Sequence, residues 1–136
     1  MMKSASKVEE DSAPINDFNN YYQFLNNDHP AWVCLDGLLY PSASIAYQAA
    51  RTNLPHLRQQ LLEVTTYEQF KDISLSIQNP QEWGLRKYKV MEKLTRDKFK
   101  RSKEMSQKLA ATYPRNLVNT YKSGGDNEEY WGVING

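Results

Sequence analysis

The sequence predicts an α+β fold, mainly α-helical, in a compact single domain with a small β element. Three observations carry this expectation. The chain has 136 residues, 40% of them hydrophobic, a length at which two separate cores would both be marginal. Asp36-Gly37 stands between two short apolar runs, the strongest short-range hairpin signal, because both turn residues must accept positive φ. After Pro41, serine, threonine, asparagine and proline recur at spacings that start and stop helices.

Met1 to Pro14 is polar, with no aromatic residue, and reads as a disordered tail. Phe18, Tyr21, Tyr22 and Phe24 then arrive close together, so the domain is placed from Ile15 to Gly136. Val33-Cys34-Leu35 and Leu38-Leu39-Tyr40 form the predicted hairpin. Ser42 or Ser44 caps a helix over Ile45 to Arg51, and Pro55 suits the first turn of a second helix through Leu62. Thr65 and Glu68 have capping-box spacing for a third. Asn79-Pro80-Gln81-Glu82 predicts a fourth, with Asn as cap and Pro at the first helical position. Trp83, Val90, Met91 and Leu94 give that helix one apolar stripe, although Gly84 makes its start soft. Ser102 restarts the chain into a helix bearing Met105, Leu109 and Ala110, which Pro114 closes. Leu117 to Tyr121 reads as a short strand.

Composition removes several classes of function. With a mean hydropathy of −0.76 and no apolar run of about eighteen residues, a membrane-spanning helix is excluded. The start lacks the apolar core of a secretory signal, so the expected location is cytoplasmic and no membrane partner is expected. Cys34 is the single cysteine and the histidines are His29 and His56 alone, a poor basis for a disulfide or a metal centre. His29 and His56 read as surface residues and Cys34 as a small buried apolar one. The common phosphate-loop, dinucleotide, zinc and serine-nucleophile patterns are all missing.

Charge is unevenly spread. Residues 1–85 carry net −5 and residues 86–136 net +6, giving the formal +1. Nine basic side chains lie between Arg86 and Lys103, among only two acids, Glu92 and Asp97. A solvated helix face explains such a run; a wall that attracts nucleotide or nucleic-acid phosphate is the functional alternative.

Taken in order, the motifs resemble those of the NADAR (YbiA-like) N-glycosidase family. Phe24-Leu25-Asn26 is similar to its F-x-N opening, and Asp36-Gly37 followed by Tyr40-Pro41-Ser42 to its D-G and P-T/S segment. Tyr47-Gln48-Ala49-Ala50-Arg51 resembles Q-A-x-K/R. Trp83 and Met91 match W-x7-M, Lys98-Phe99 and Leu109 to Thr112 match K-F and L-x-x-T, and Tyr130-Trp131-Gly132 matches the W-G turn. The resemblance implies a cofactor-free and metal-free hydrolase that cleaves the bond between a ribose and a nitrogen base. The implied ligands are phosphorylated riboflavin-pathway intermediates or ADP-ribose attached to nucleobases, with ADP-ribosylated nucleic acid as a further partner.

Such chemistry needs a carboxylate near the anomeric carbon, a group that assists departure of the base, and cations for phosphate. Position by position, the resemblance lifts Trp83 from core to catalytic site. It puts Gln48, Arg51, Trp131 and Gly132 at substrate-binding positions, and Asn26 and Lys98 at positions that are either structural or ligand-binding. The family's glutamate, in E-H-x-x-Q-A, falls on Ser44, which cannot carry negative charge. A second acid, three residues before W-G, falls on Glu128, with Asp126 and Glu129 as substitutes; a solvated acidic turn remains the plain alternative. Past Gly132 the family's glycine-rich stretch is cut short at Gly136, so the domain reads as C-terminally truncated. The expected function is therefore that of a NADAR-like protein, impaired by Ser44. The alternatives are a non-catalytic ADP-ribose-binding or protein-interaction module, and a nucleic-acid-associated protein using residues 86–103.

Overall fold

The computed structural model describes residues 13–119. Its elements are a 3-10 turn (Asn20–Leu25), strands β1 (Val33–Leu35) and β2 (Leu38–Tyr40), and helices α1 (Ala43–Ala50), α2 (Pro55–Leu62), α3 (Tyr67–Ser76), α4 (Trp83–Arg101) and α5 (Lys103–Ala110). Among the described residues the fold is mainly helical with one two-stranded sheet, as the sequence predicts. Contacts divide the described residues into two units, 27–106 and 13–26 with 107–119.

In the first of these, Asp36 and Gly37 both take positive φ, 50° and 83°. That is the backbone twist a two-residue antiparallel turn requires. β1 and β2 pair in the register Val33–Tyr40, Cys34–Leu39, Leu35–Leu38. Val33 and Tyr40 face inward, both fully buried, whereas Leu38 and Leu39 remain exposed. Ser42 caps α1, its Oγ accepting from the Ile45 N–H at 3.1 Å.

Ala43, Ala46 and Ala49 recur every three residues along α1 and, with Tyr47, are buried. Alanine leaves no side chain beyond Cβ, so the helix lies close to its neighbours on that face. α1 packs on β1, β2, α2 and α4, while β1 also packs on α4 and α2 on α3. The core thus sits between α1, α4 and the hairpin, filled by Trp83, Met91, Leu94 and Phe99 from the long helix.

Arg58 closes the far end of α1. Its Nε donates to the carbonyls of Ala49 at 3.1 Å and Thr52 at 2.9 Å, and its Nη1 pairs with Asp36 at 2.9 Å. Cationic donors satisfy the orphan carbonyls at a helix C-terminus and match its dipole.

Three local expectations shift. The capping box of α3 is built on Thr66 and Gln69, one residue later than the Thr65–Glu68 spacing. Gln69 serves here because its amide oxygen reaches both the Thr65 and Thr66 N–H groups. Asn79 does not cap α4. That helix begins at Trp83 after a turn in which Glu82 adopts left-handed φ of 61°, and the Asn79 side-chain oxygen accepts from Arg51 Nε instead. Cys34 is half-buried rather than a core residue. At the other end of α4, Ser102 interrupts the helix with extended dihedrals, and its Oγ accepts from the Met105 N–H to start α5.

Within 13–26 and 107–119, Ile15 forms a parallel bridge with Leu117. Its N–H donates to the Asn116 carbonyl and its carbonyl accepts from the Val118 N–H. The strand expected from Leu117 is a single bridge over the described residues; Tyr121 lies outside them. Arg115 donates to the Ala13 carbonyl and to the Tyr22 hydroxyl, so the described end of the polar N-terminal segment is tied down. Lys108 stands over the Tyr21 and Phe24 rings.

Candidate functional site

The first turn of α1 carries a hydroxyl at the position where the resemblance places a glutamate. Ser44 is its second residue, and the Ser44 N–H donates to the Asn27 carbonyl at 3.0 Å. That bond lays Asn27 and Asp28 against the helix start. The Ser44 hydroxyl then donates to Asp28 Oδ1. Asp28 therefore sits at the positive end of the α1 dipole, where an anion is favoured, and it stays exposed to solvent.

Lys98 is a group whose ammonium feels the charge of this carboxylate. Its side chain is 1% exposed, an unusual fate for lysine. Burial pushes its ammonium down from 10.5 to about 8, with the Asp28 charge pulling the other way. The Nζ lies 5.0 Å from the Phe99 ring centroid. On α4 it continues the apolar stripe of Met91 and Leu94 at the spacing of a helix face, so the stripe ends in a charge drawn into the core.

Trp83 begins the same helix and is 3% exposed. Its ring centroid lies 5.4 Å from that of Tyr47 on α1, and the Arg86 guanidinium stands over it at 5.8 Å. The indole N–H is buried and has no hydrogen-bond partner among the described residues, an unmet donor of the kind that clusters at functional sites. At 1.5 Å rise per residue, Trp83 and Lys98 are roughly 22 Å apart along α4. On α1, by contrast, Ser44 and Tyr47 are three residues apart, so the Tyr47–Trp83 contact lies within one helical turn of the Asp28–Ser44 pair.

The remaining expected site residues divide sharply. Arg51 uses its guanidinium as a strut: Nε donates to Asn79 Oδ1, Nη1 to Gln48 Oε1 and the Ser74 carbonyl, and Nη2 to the Ile77 carbonyl. Gln48 is thereby an acceptor for Arg51, and the pair joins α1 to the end of α3. Asn26 belongs to the other unit, where its Nδ2 donates to the Phe18 carbonyl at 2.8 Å. Asp126, Glu128, Glu129, Trp131 and Gly132 lie outside the described residues.

The basic run resolves into different roles. Lys98 is buried, Arg96 pairs with Glu92, and Arg101 makes a two-pronged pair with Asp97. Asp97 also accepts from the Cys34 N–H at 2.7 Å, which anchors β1 to α4. Most other members of the run stand on the solvent side of the helix, and Lys87 covers Tyr88. No helix of the described residues is long and apolar enough to cross a membrane.

Sequence reasoning missed Asp28. An isolated acid in the polar stretch Asn26 to Pro30 reads as solvated, and nothing in its spacing links it to Ser44, sixteen residues on. Arg58 was missed for the same reason, since its carbonyl partners are defined only once α1 and α2 meet.

A family model described as the NADAR domain matches residues 8–135. The NMR structure of the E. coli protein YbiA is similar to this chain with a TM-score of 0.70 and 24% sequence identity. The match covers 90% of this chain and 72% of that one. At that identity the likeness speaks for a shared fold. No curated protein matches the chain.

Proposed function

The chain belongs to the NADAR family, and from that premise we propose that it hydrolyses the N-glycosidic bond of a ribosylated base bearing phosphate. The substrate is either a phosphorylated riboflavin-pathway intermediate or an ADP-ribosylated nucleobase, including one within nucleic acid. The observation that carries the reading is Lys98, a lysine held 1% exposed beside an exposed carboxylate. An ammonium costs more to bury in a packed core than an apolar side chain of similar volume. An anionic ligand gives the burial a purpose, because charge attraction is strongest where water is scarce. Trp83, with its buried and unmet N–H, supplies an aromatic face next to Tyr47 and Arg86; aromatic faces stack on bases and cations hold phosphate.

The test is release of free base, followed by chromatography, from an ADP-ribosylated nucleobase and from a phosphorylated riboflavin-pathway intermediate. Wild type should release base from one of them, and Trp83→Phe, which keeps an aromatic ring but exchanges the indole and its N–H for a smaller phenyl, should be at least tenfold slower, within the usual range for losing a positioned group. No base from either substrate refutes the reading. A second reading, binding of an ADP-ribose-like ligand without turnover, is favoured by one observation, Ser44 at the family's glutamate position. It predicts saturable ADP-ribose binding by calorimetry with no product.

A further inference from the structure

Cleaving a glycosidic bond through a cation-like ribosyl requires a carboxylate close to the anomeric carbon. The first turn of α1 provides none of its own: Ser42 is the cap, followed by Ala43, Ser44 and Ile45. One carboxylate among the described residues is nonetheless fixed to that turn. Asp28 is held there twice, through the Asn27 carbonyl on the Ser44 N–H and through the Ser44 hydroxyl on Oδ1. It is exposed to solvent, while the lysine whose charge it influences is buried. An aspartate wanted only for solubility has no need of these tethers.

We propose that Asp28 supplies the carboxylate of the glycosidase site, positioned by the Ser44 hydroxyl, so that an acid from the segment before β1 does the work that the first turn of α1 leaves open. The inference rests on the N-glycosidase reading. In the reaction, the bond between C1′ and the base nitrogen breaks with its electron pair passing to nitrogen. A water oxygen bonds to C1′ and one water proton goes to the Asp28 carboxylate. The departing nitrogen takes a proton from solvent, and Asp28 then returns its own. One water is consumed and no other reactant is required. Ser44 contributes orientation: its hydroxyl occupies one oxygen of Asp28 and leaves the second for water and the ribosyl cation.

The experiment compares base release by wild type, Asp28→Asn, Ser44→Ala and the double variant Asp28→Asn with Ser44→Glu, on both substrate classes. Circular dichroism and thermal melts establish that each is folded. Asp28→Asn should fall at least a hundredfold, the order expected for losing a general base. Ser44→Ala should fall less, roughly tenfold, because the carboxylate persists without its tether. The double variant should regain activity over Asp28→Asn, since glutamate at position 44 returns a carboxylate from the helix side; a purely structural Asp28 would not be rescued in this way. If wild type is active and Asp28→Asn stays within about threefold of it, the assignment of Asp28 fails while the glycosidase reading stands. If wild type releases no base from either substrate, both fall together.

Discussion

Replacing Lys98 by methionine removes an ammonium from the core while keeping most of the side chain's volume. The fold holds this lysine 1% exposed and lowers its ammonium from 10.5 to about 8. A tenfold change in proton affinity corresponds to 1.36 kcal/mol, so keeping the charge at neutral pH costs folding on the order of 3 kcal/mol. Relaxation and partial access of water reduce that figure to about 1–3 kcal/mol. The sign follows from proton counting: between pH 8 and 10.5 the unfolded chain binds the proton that the folded chain has released. Wild-type stability therefore gains from this group as pH rises through that window, and Lys98→Met has no such gain.

Urea unfolding of both proteins at pH 7, 8, 9 and 10 gives the comparison. The difference between them matters more than either curve, because Tyr40, raised by burial, loses stability with pH in both. Lys98→Met should be the more stable protein at pH 7 by about 1–3 kcal/mol, with the gap narrowing steadily towards pH 10. A variant less stable than wild type at pH 7 would show the side chain to be a net stabiliser, and a gap that does not change with pH would show that folding leaves its proton affinity unaltered. The account of Lys98 as a charge retained for a ligand would then be wrong.

Other perturbations follow from the same contacts. Arg58→Ala strips two carbonyls at the end of α1 and the Asp36 pair, and should cost about 2–3 kcal/mol in urea unfolding; a loss under ~0.5 kcal/mol would mean water replaces it freely. Asp97 is held below the usual carboxylate range, chiefly by the hydrogen bonds from Arg101 and further by the Cys34 N–H, against burial. Its contribution is present above the unfolded value near 3.8 and disappears as pH falls through the lower folded value. Asp97→Asn should accordingly melt earlier than wild type at pH 6, with the difference shrinking as pH falls below the unfolded value. Thr66→Ala removes the cap of α3 and should lower stability by about 1 kcal/mol, measured by urea unfolding, whereas Thr65→Ala should cost less.

Much of the scaffold was legible because its signals are local. A two-residue turn needs positive φ at both positions, and Asp36-Gly37 advertises it wherever the rest of the chain goes. Ser42, Pro55 and Ser102 act within one helical turn, so their roles survive into the fold. The stripe of Trp83, Met91 and Leu94 is periodic and found its core. Asn79 misled for an instructive reason: its side chain can cap a helix or meet Arg51, and the guanidinium decided the matter by linking Asn79 to Gln48, Ser74 and Ile77. Leu117 resembles a strand residue, but strand extent depends on how much of a partner runs alongside, and one bridge with Ile15 is what the described residues make.

By itself the sequence determined the class of fold, the hairpin and its register, the order of helices and, through its ordered motifs, the family. It also exposed serine at the glutamate position. Tertiary structure alone decided which charges matter. In the string of nine basic residues the motifs mark Lys98 as structural or ligand-binding, but only the packing of α4 against α1 and β1 shows it to be the buried one. Asp28 looks like any solvated acid until the Asn27 carbonyl and the Ser44 hydroxyl bring it to the start of α1. Periodicity and capping are short-range properties of the chain, whereas desolvation and the meeting of charges depend on groups far apart in sequence.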